Sequence, residues 1–169
     1  MYTKTENITN LVQIAMDNGD LITIKLNPET APITCENFKN LVKDGFYNGL
    51  TFHRVIAGFM VQGGDPTATG MGGSKQTIKG EFASNGVKND LSHKRGVISM
   101  ARSQFKDSAS SQFFICHADA TFLDGEYASF GEVVDGIGGI DNIANVQTDY
   151  SDKPLTPVVM KEVYFVEEA

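Results

Sequence analysis

The chain has 169 residues, 41% of them hydrophobic and 21% charged, and a formal net charge of −7. That length and balance suit one globular domain, 1–169, with a core of its own, and the acidity argues against non-specific binding to nucleic acid or an anionic membrane. No apolar run is long enough to span a bilayer, MYTKTENITN lacks the apolar region of a secretory signal, and Cys35 and Cys116 show no metal-ligand spacing; a cytoplasmic protein with two reduced cysteines is expected.

In LVQIAMDNGDLITIKL (11–26), Val12, Ile14 and Met16 alternate with polar or small residues, as do Ile22, Ile24 and Leu26. Asn18 and Gly19 both tolerate positive φ, so the segment reads as strand, tight turn, strand. A helix follows, with Thr30 as its expected cap, Pro32 in its first turn and Gly45 beyond its end. Cys35, Phe38, Leu41 and Val42 form an apolar stripe at helical spacing, which predicts packing on a sheet. Strands are expected at 51–56 and 59–62, then a glycine-rich loop from Gly63 to Gly73, then strands at 96–101, 111–116, 127–134 and 158–166. Ile137, Ile140, Ile143 and Ala144 permit a second helix, weakened by two glycines. Many strands with two helices predict a mainly β antiparallel barrel or sandwich with helical covers.

The usual catalytic arrangements are missing. His53, His93 and His117 lack metal-ligand spacing, and each alone reads more readily as structural or solvated. GMGGSK (70–75) lacks the phosphate-loop spacing and reads as a surface loop. Residues two apart on a strand share a face, which groups Met60 with Gln62, Gln112 with Phe114, and Phe52 with Arg54. Phe113 and Ile115 then face a filled interior. An apolar surface with one fixed cation suits a peptide groove. The equal alternative is that Arg54 pairs with a carboxylate and the glutamines satisfy backbone groups.

TFHRVIAGFMVQGGD, GVISMA, SSQFFIC, FLDGEYASFGEVVDG and the helix around ENFKNLV resemble the cyclophilin family of peptidyl-prolyl cis-trans isomerases, over nearly the whole chain. GGDPTATGMGG and MARSQ look most like bacterial cytosolic members. The resemblance implies a closed antiparallel barrel of about eight strands capped by two α-helices, with the groove outside it. It makes Arg54 the catalytic arginine and Gln62 the residue that steadies it. Phe59, Met60, Phe114 and Leu123 become walls of the proline pocket, Gln112 a groove contact, and Ala101 and Arg102 the edge that binds substrate backbone. His53 matches a groove-side histidine. Phe122 and Tyr127 stand at the rim where many eukaryotic members have tryptophan and histidine, which implies weak cyclosporin binding. Ala57 replaces a usual proline and Arg102 a usual asparagine.

The expected partners are proline-containing peptides and folding proteins, met by a monomer without cofactor or metal. Two other readings remain: a proline-peptide binding module without catalysis, and a small-molecule-binding barrel. Bulky Phe113 and Ile115 argue against the hollow interior that the last requires.

Overall fold

In β2 (Leu11–Met16) and β3 (Leu21–Leu26), Val12 pairs with Ile24 and Ile14 with Ile22. All four side chains are fully buried, as the alternation predicts. The turn differs from expectation. Met16 N–H donates to the Asp20 carbonyl at 2.9 Å, and only Gly19 takes positive φ, at 96°. The loop therefore has three residues closed by a left-handed glycine, and Asn18 instead accepts from Asp20 N–H at 2.9 Å.

A computed structural model describes residues 1–169. Its remaining elements are β1 (Tyr2–Lys4), α1 (Pro32–Lys43), β4 (Phe52–Ile56), β5 (Met60–Gly63), β6 (Val97–Met100), β7 (Phe113–Cys116), β8 (Ser129–Asp135), α2 (Ile137–Ala144) and β9 (Met160–Glu168). The strands form one antiparallel sheet in the order β1-β9-β2-β3-β8-β6-β7-β5-β4. The mainly β architecture with two helices is as expected; the sheet has nine strands where about eight were expected, and β1 and β4 end its ladder. The outer edge of β9 is shared. Val166 to Glu168 pair with β1, while Val159, just before the strand, bridges to Thr51. Around that isolated bridge, Phe52 N–H donates to the Val158 carbonyl at 2.9 Å and Met160 N–H to that of Leu50 at 2.8 Å. The two ends of the sheet meet at a few bonds and not along a ladder.

Helix α1 begins without a side-chain cap. Ala31 holds the cap position, not Thr30, and Pro32 supplies the first turn. The buried amide of Thr34, left free by the helix, is satisfied from elsewhere: its N–H and hydroxyl both donate to the buried Glu81 carboxylate, at 2.6 and 2.7 Å. The far end is as expected. Gly45 N–H bonds the Val42 carbonyl and Phe46 N–H that of Leu41, with Gly45 at φ 70°. Cys35, Phe38 and Val42 are buried against the sheet, and the Phe38 ring meets Tyr47, Phe113 and Phe130 at 5.2, 5.7 and 5.2 Å.

On α2, Ile140, Ile143 and Ala144 are buried. One of its glycines has a use: a methyl group at Gly139 would sit 2.8 Å from the Ile22 side chain, so the glycine allows close seating on β3. A cluster of 26 buried side chains, Phe113 and Ile115 among them, fills the interior, which rules out a hollow ligand-binding barrel. Both cysteines are free and buried.

Candidate active site

A second, smaller apolar cluster lies apart from that core. Met60, Phe114, Cys116 and Ala120 are buried in it, with Ile56, Phe59, Ala101, Leu123 and Tyr127 packed around them. Strand parity explains the division. Val61, Phe113 and Ile115 enter the core, while Met60, Gln62 and Phe114 take the other face of β5 and β7.

Arg54 joins that face by a different route. Phe52 opposes Gly63 and Arg54 opposes Gln62, so the ladder slips by one residue at His53. The bulge breaks the expected parity: Phe52 turns into the core and Arg54 outward, with Val55 again inside. Re-aiming one side chain in this way is what a bulge does. A β-carbon at Gly63 would fall 2.7 Å from the Thr51 carbonyl oxygen, so the residue opposite the slip must be small.

Arg54 and Gln62 are direct cross-strand neighbours, and Arg54 Nη1 donates to Gln62 Oε1 at 3.3 Å. Gln62 Nε2 donates to Gln112 Oε1 at 2.9 Å, and Gln112 Nε2 donates to the carbonyls of Gly70 and Gly72 at 3.0 and 2.8 Å. Two carbonyls can only accept. They fix the Gln112 amide, which fixes Gln62 and leaves its oxygen toward the guanidinium.

The glycine-rich loop is folded around its own anion. Asp65 accepts N–H bonds from Thr67, Thr69, Gly70 and Gly72 and the Thr67 hydroxyl, all at 2.7–3.1 Å. Burial alone would push this carboxyl up, but these donors bring it down to about 2. The amides that a bound phosphate would need are thus already used.

Arg54, Phe59, Met60, Gln62, Ala101, Arg102, Phe114, Leu123 and Tyr127 enclose a pocket of about 140 Å³. An apolar cavity of ~150 Å³ accommodates a benzene-sized ring. Three other expected residues lie outside it. Gln112 sits behind Gln62, His53 is buried beside Arg54, and Phe122 is exposed at the rim, 5.6 Å from the Phe59 ring. The Arg102 side chain turns inward. Its guanidinium lies 4.8 Å from the Phe82 ring and 4.7 Å from that of Tyr127, and it donates to the carbonyls of Glu126 and Ser103.

One supporting group was invisible in the sequence. His93, 1% exposed, stacks on Phe114 at 5.9 Å. Its Nδ1 lies 2.8 Å from Asp124 Oδ1 and its Nε2 2.9 Å from Ser99 Oγ. Burial lowers its pKa against the pull of Asp124, and the His93 and Ser92 bonds keep that carboxylate ionised. Nδ1 therefore carries the proton and Ser99 donates to Nε2. Asp124 adjoins Leu123, so this chain of bonds, running from a partly exposed carboxylate to the buried Ser99, braces two pocket walls. Its partners are 31 and 6 residues apart and form no local pattern. His117 also has a structural place: it accepts from Gly58 N–H at 2.8 Å and meets Asp141 at 3.0 Å, tying the β4–β5 turn to α2.

Residues 11–165 match the family model described as Cyclophilin type peptidyl-prolyl cis-trans isomerase/CLD, and the chain belongs to that family. Peptidyl-prolyl cis-trans isomerase ppi1 of Schizosaccharomyces pombe is 44% identical over 138 residues, covering 81% of this chain and 87% of its own. Peptidyl-prolyl cis-trans isomerase A of Dickeya dadantii is 43% identical over 156 residues, covering 87% and 80%. A solved structure of a Cryptosporidium parvum cyclophilin type isomerase, in the presence of the dipeptide Ala-Pro, matches with a TM-score of 0.85 and 32% identity, covering 94% of this chain and 99% of that one. The protein is a peptidyl-prolyl cis-trans isomerase. Fungal and bacterial relatives are equally similar, so the expected leaning toward bacterial members is not singled out.

Proposed function

We propose that the pocket grips the proline ring of an X-Pro segment while Arg54 stabilises the twisted amide. The barrier to rotation is ~18–20 kcal/mol and arises from C–N double-bond character. Twisting removes that conjugation and turns the prolyl nitrogen into a hydrogen-bond acceptor. A guanidinium aimed at this nitrogen favours the transition state over the planar ground state, and no bond is broken.

One observation carries the reading. The cation at the mouth of an apolar pocket is held by a chain of amides that ends on fixed backbone carbonyls, so its orientation is set before substrate arrives. Raising a spontaneous rate of about 10⁻² per second to roughly 10–10³ per second takes about 4–7 kcal/mol. One preorganised donor supplies about 2.7–4 kcal/mol. The balance falls to the dry pocket and to contacts with the twisted backbone.

The clients in this reading are proline-containing peptides and folding proteins, met by a monomer in the cytoplasm. Two buried, unpaired thiols are in keeping with a reducing compartment. The test is isomerisation of a short X-Pro peptide by the wild type and by Arg54→Ala, each checked for folding. A fall of about 10²–10³-fold in kcat is expected for the variant. A folded wild type that binds the peptide without accelerating exchange would make the protein a binding module.

A further inference from the structure

Past Arg54 the groove opens into a second hollow, lined by His53, Arg54, Thr69, Gly70, Ser151 and Lys153 among others. No lining residue is acidic, although the chain carries a net charge of −7. Neither Arg54 nor Lys153 has a carboxylate within ion-pair distance. Two acids nearby are otherwise engaged, and Asp152, between Ser151 and Lys153, does not line the hollow. Asp65 is saturated by its own loop, and Asp149 accepts N–H bonds from Ser151 and Lys153 at 2.8 and 3.1 Å.

His53 adds an independent sign. It is 7% exposed, and neither ring nitrogen has a hydrogen-bond partner. Gln112, a side chain close to it, spends its amide on Gly70 and Gly72. An unpaired buried polar group calls for a missing partner. Backbone strain marks the same place. Only two non-glycine residues have positive φ, Ala68 at 56° and Asp152 at 65°, and they lie in the two loops that wall the hollow. Alanine gains no side-chain bond in that conformation, and such strain gathers at ligand-binding loops.

From these features we propose that the hollow is a specificity subsite for a carboxylate side chain, Asp or Glu, carried by the client close to its proline. Lys153 supplies the charge, and His53 and Thr69 supply hydrogen-bond donors. The inference rests on the neighbouring pocket's taking the proline, because that fixes which stretch of client passes over Lys153.

The experiment compares X-Pro peptides with Glu, Gln or Lys at each position flanking the dipeptide, against wild type, Lys153→Gln and Lys153→Glu. Both kcat/KM and Kd are measured. At one position the wild type should favour Glu over Gln on the order of threefold, as suits a partly exposed ion pair. That preference should shrink in high salt. K153Q should abolish it while handling the Gln peptide as wild type does, and K153E should favour the Lys peptide. Equal values for Glu and Gln at every position, or a preference that survives K153Q, overturns the subsite. If no peptide is turned over, the isomerase reading fails instead, and the Kd values still decide the subsite by the same comparison.

Discussion

At Gln62, one amide oxygen decides where a cation points, and that oxygen is held by Gln112 and by two loop carbonyls behind it. Gln112→Ala should therefore lower kcat by about threefold to tenfold, the worth of one hydrogen bond, with KM nearly unchanged. Single-turnover kinetics would check this, and a change confined to KM would show that Gln112 acts by touching substrate. At the rim, Phe122 is 72% exposed and offers no indole N–H. Cyclosporin should bind weakly, and Phe122→Trp should tighten it; tight binding to the wild type in a titration would contradict this. Met60, Gln62 and Phe114 were legible as one face because they obey strand parity, whereas Phe59, Ala101, Arg102, Leu123 and Tyr127 were placed only by the family resemblance. The partition of Phe52 from Arg54 was not legible, since a bulge is a property of two strands together and His53 carries no mark of it.

Among the elements, α1 shows how a local signal can be replaced by a distant one. Its N-terminus looked ready for Thr30, yet the bond comes from Glu81, 47 residues beyond Thr34. Glu81→Ala would strip a buried N–H and a hydroxyl of their acceptor. A loss of about 1–3 kcal/mol is expected, read as a lower urea midpoint at unchanged slope. The hairpin and both helices were visible from periodicity and punctuation. β1 was not, because it has three residues of little burial and is defined by pairing with β9 at the other end of the chain, Tyr2 opposite Glu168 and Lys4 opposite Val166. That same pairing occupies the far part of the β9 edge, while the bridge toward β4 lies at the other end, where Thr51 meets Val159.

Across the whole molecule, strong acid should act on the loop that organises the site. The folded-state pKa of Asp65 is depressed from 3.8 to about 2, so its contribution is complete above the ordinary value and is lost as the pH falls through about 2. The shift corresponds to about 2 kcal/mol. Urea midpoints of wild type and Asp65→Asn, measured from pH 5 downward, should converge by that amount; parallel curves would show that the carboxylate is not the source. Because the loop also presents the Gly70 and Gly72 carbonyls, its loosening would free Gln112 and then Arg54.

Burial raises Cys35 and Cys116 to about 12, so at neutral pH almost none of either is in the reactive thiolate form. The chain also contains no tryptophan. It is therefore chemically silent toward maleimides and optically silent in the indole band. A single cysteine placed at Ser151, or a single tryptophan at Phe122, would be the sole label on the groove, and its signal would report client arrival without background.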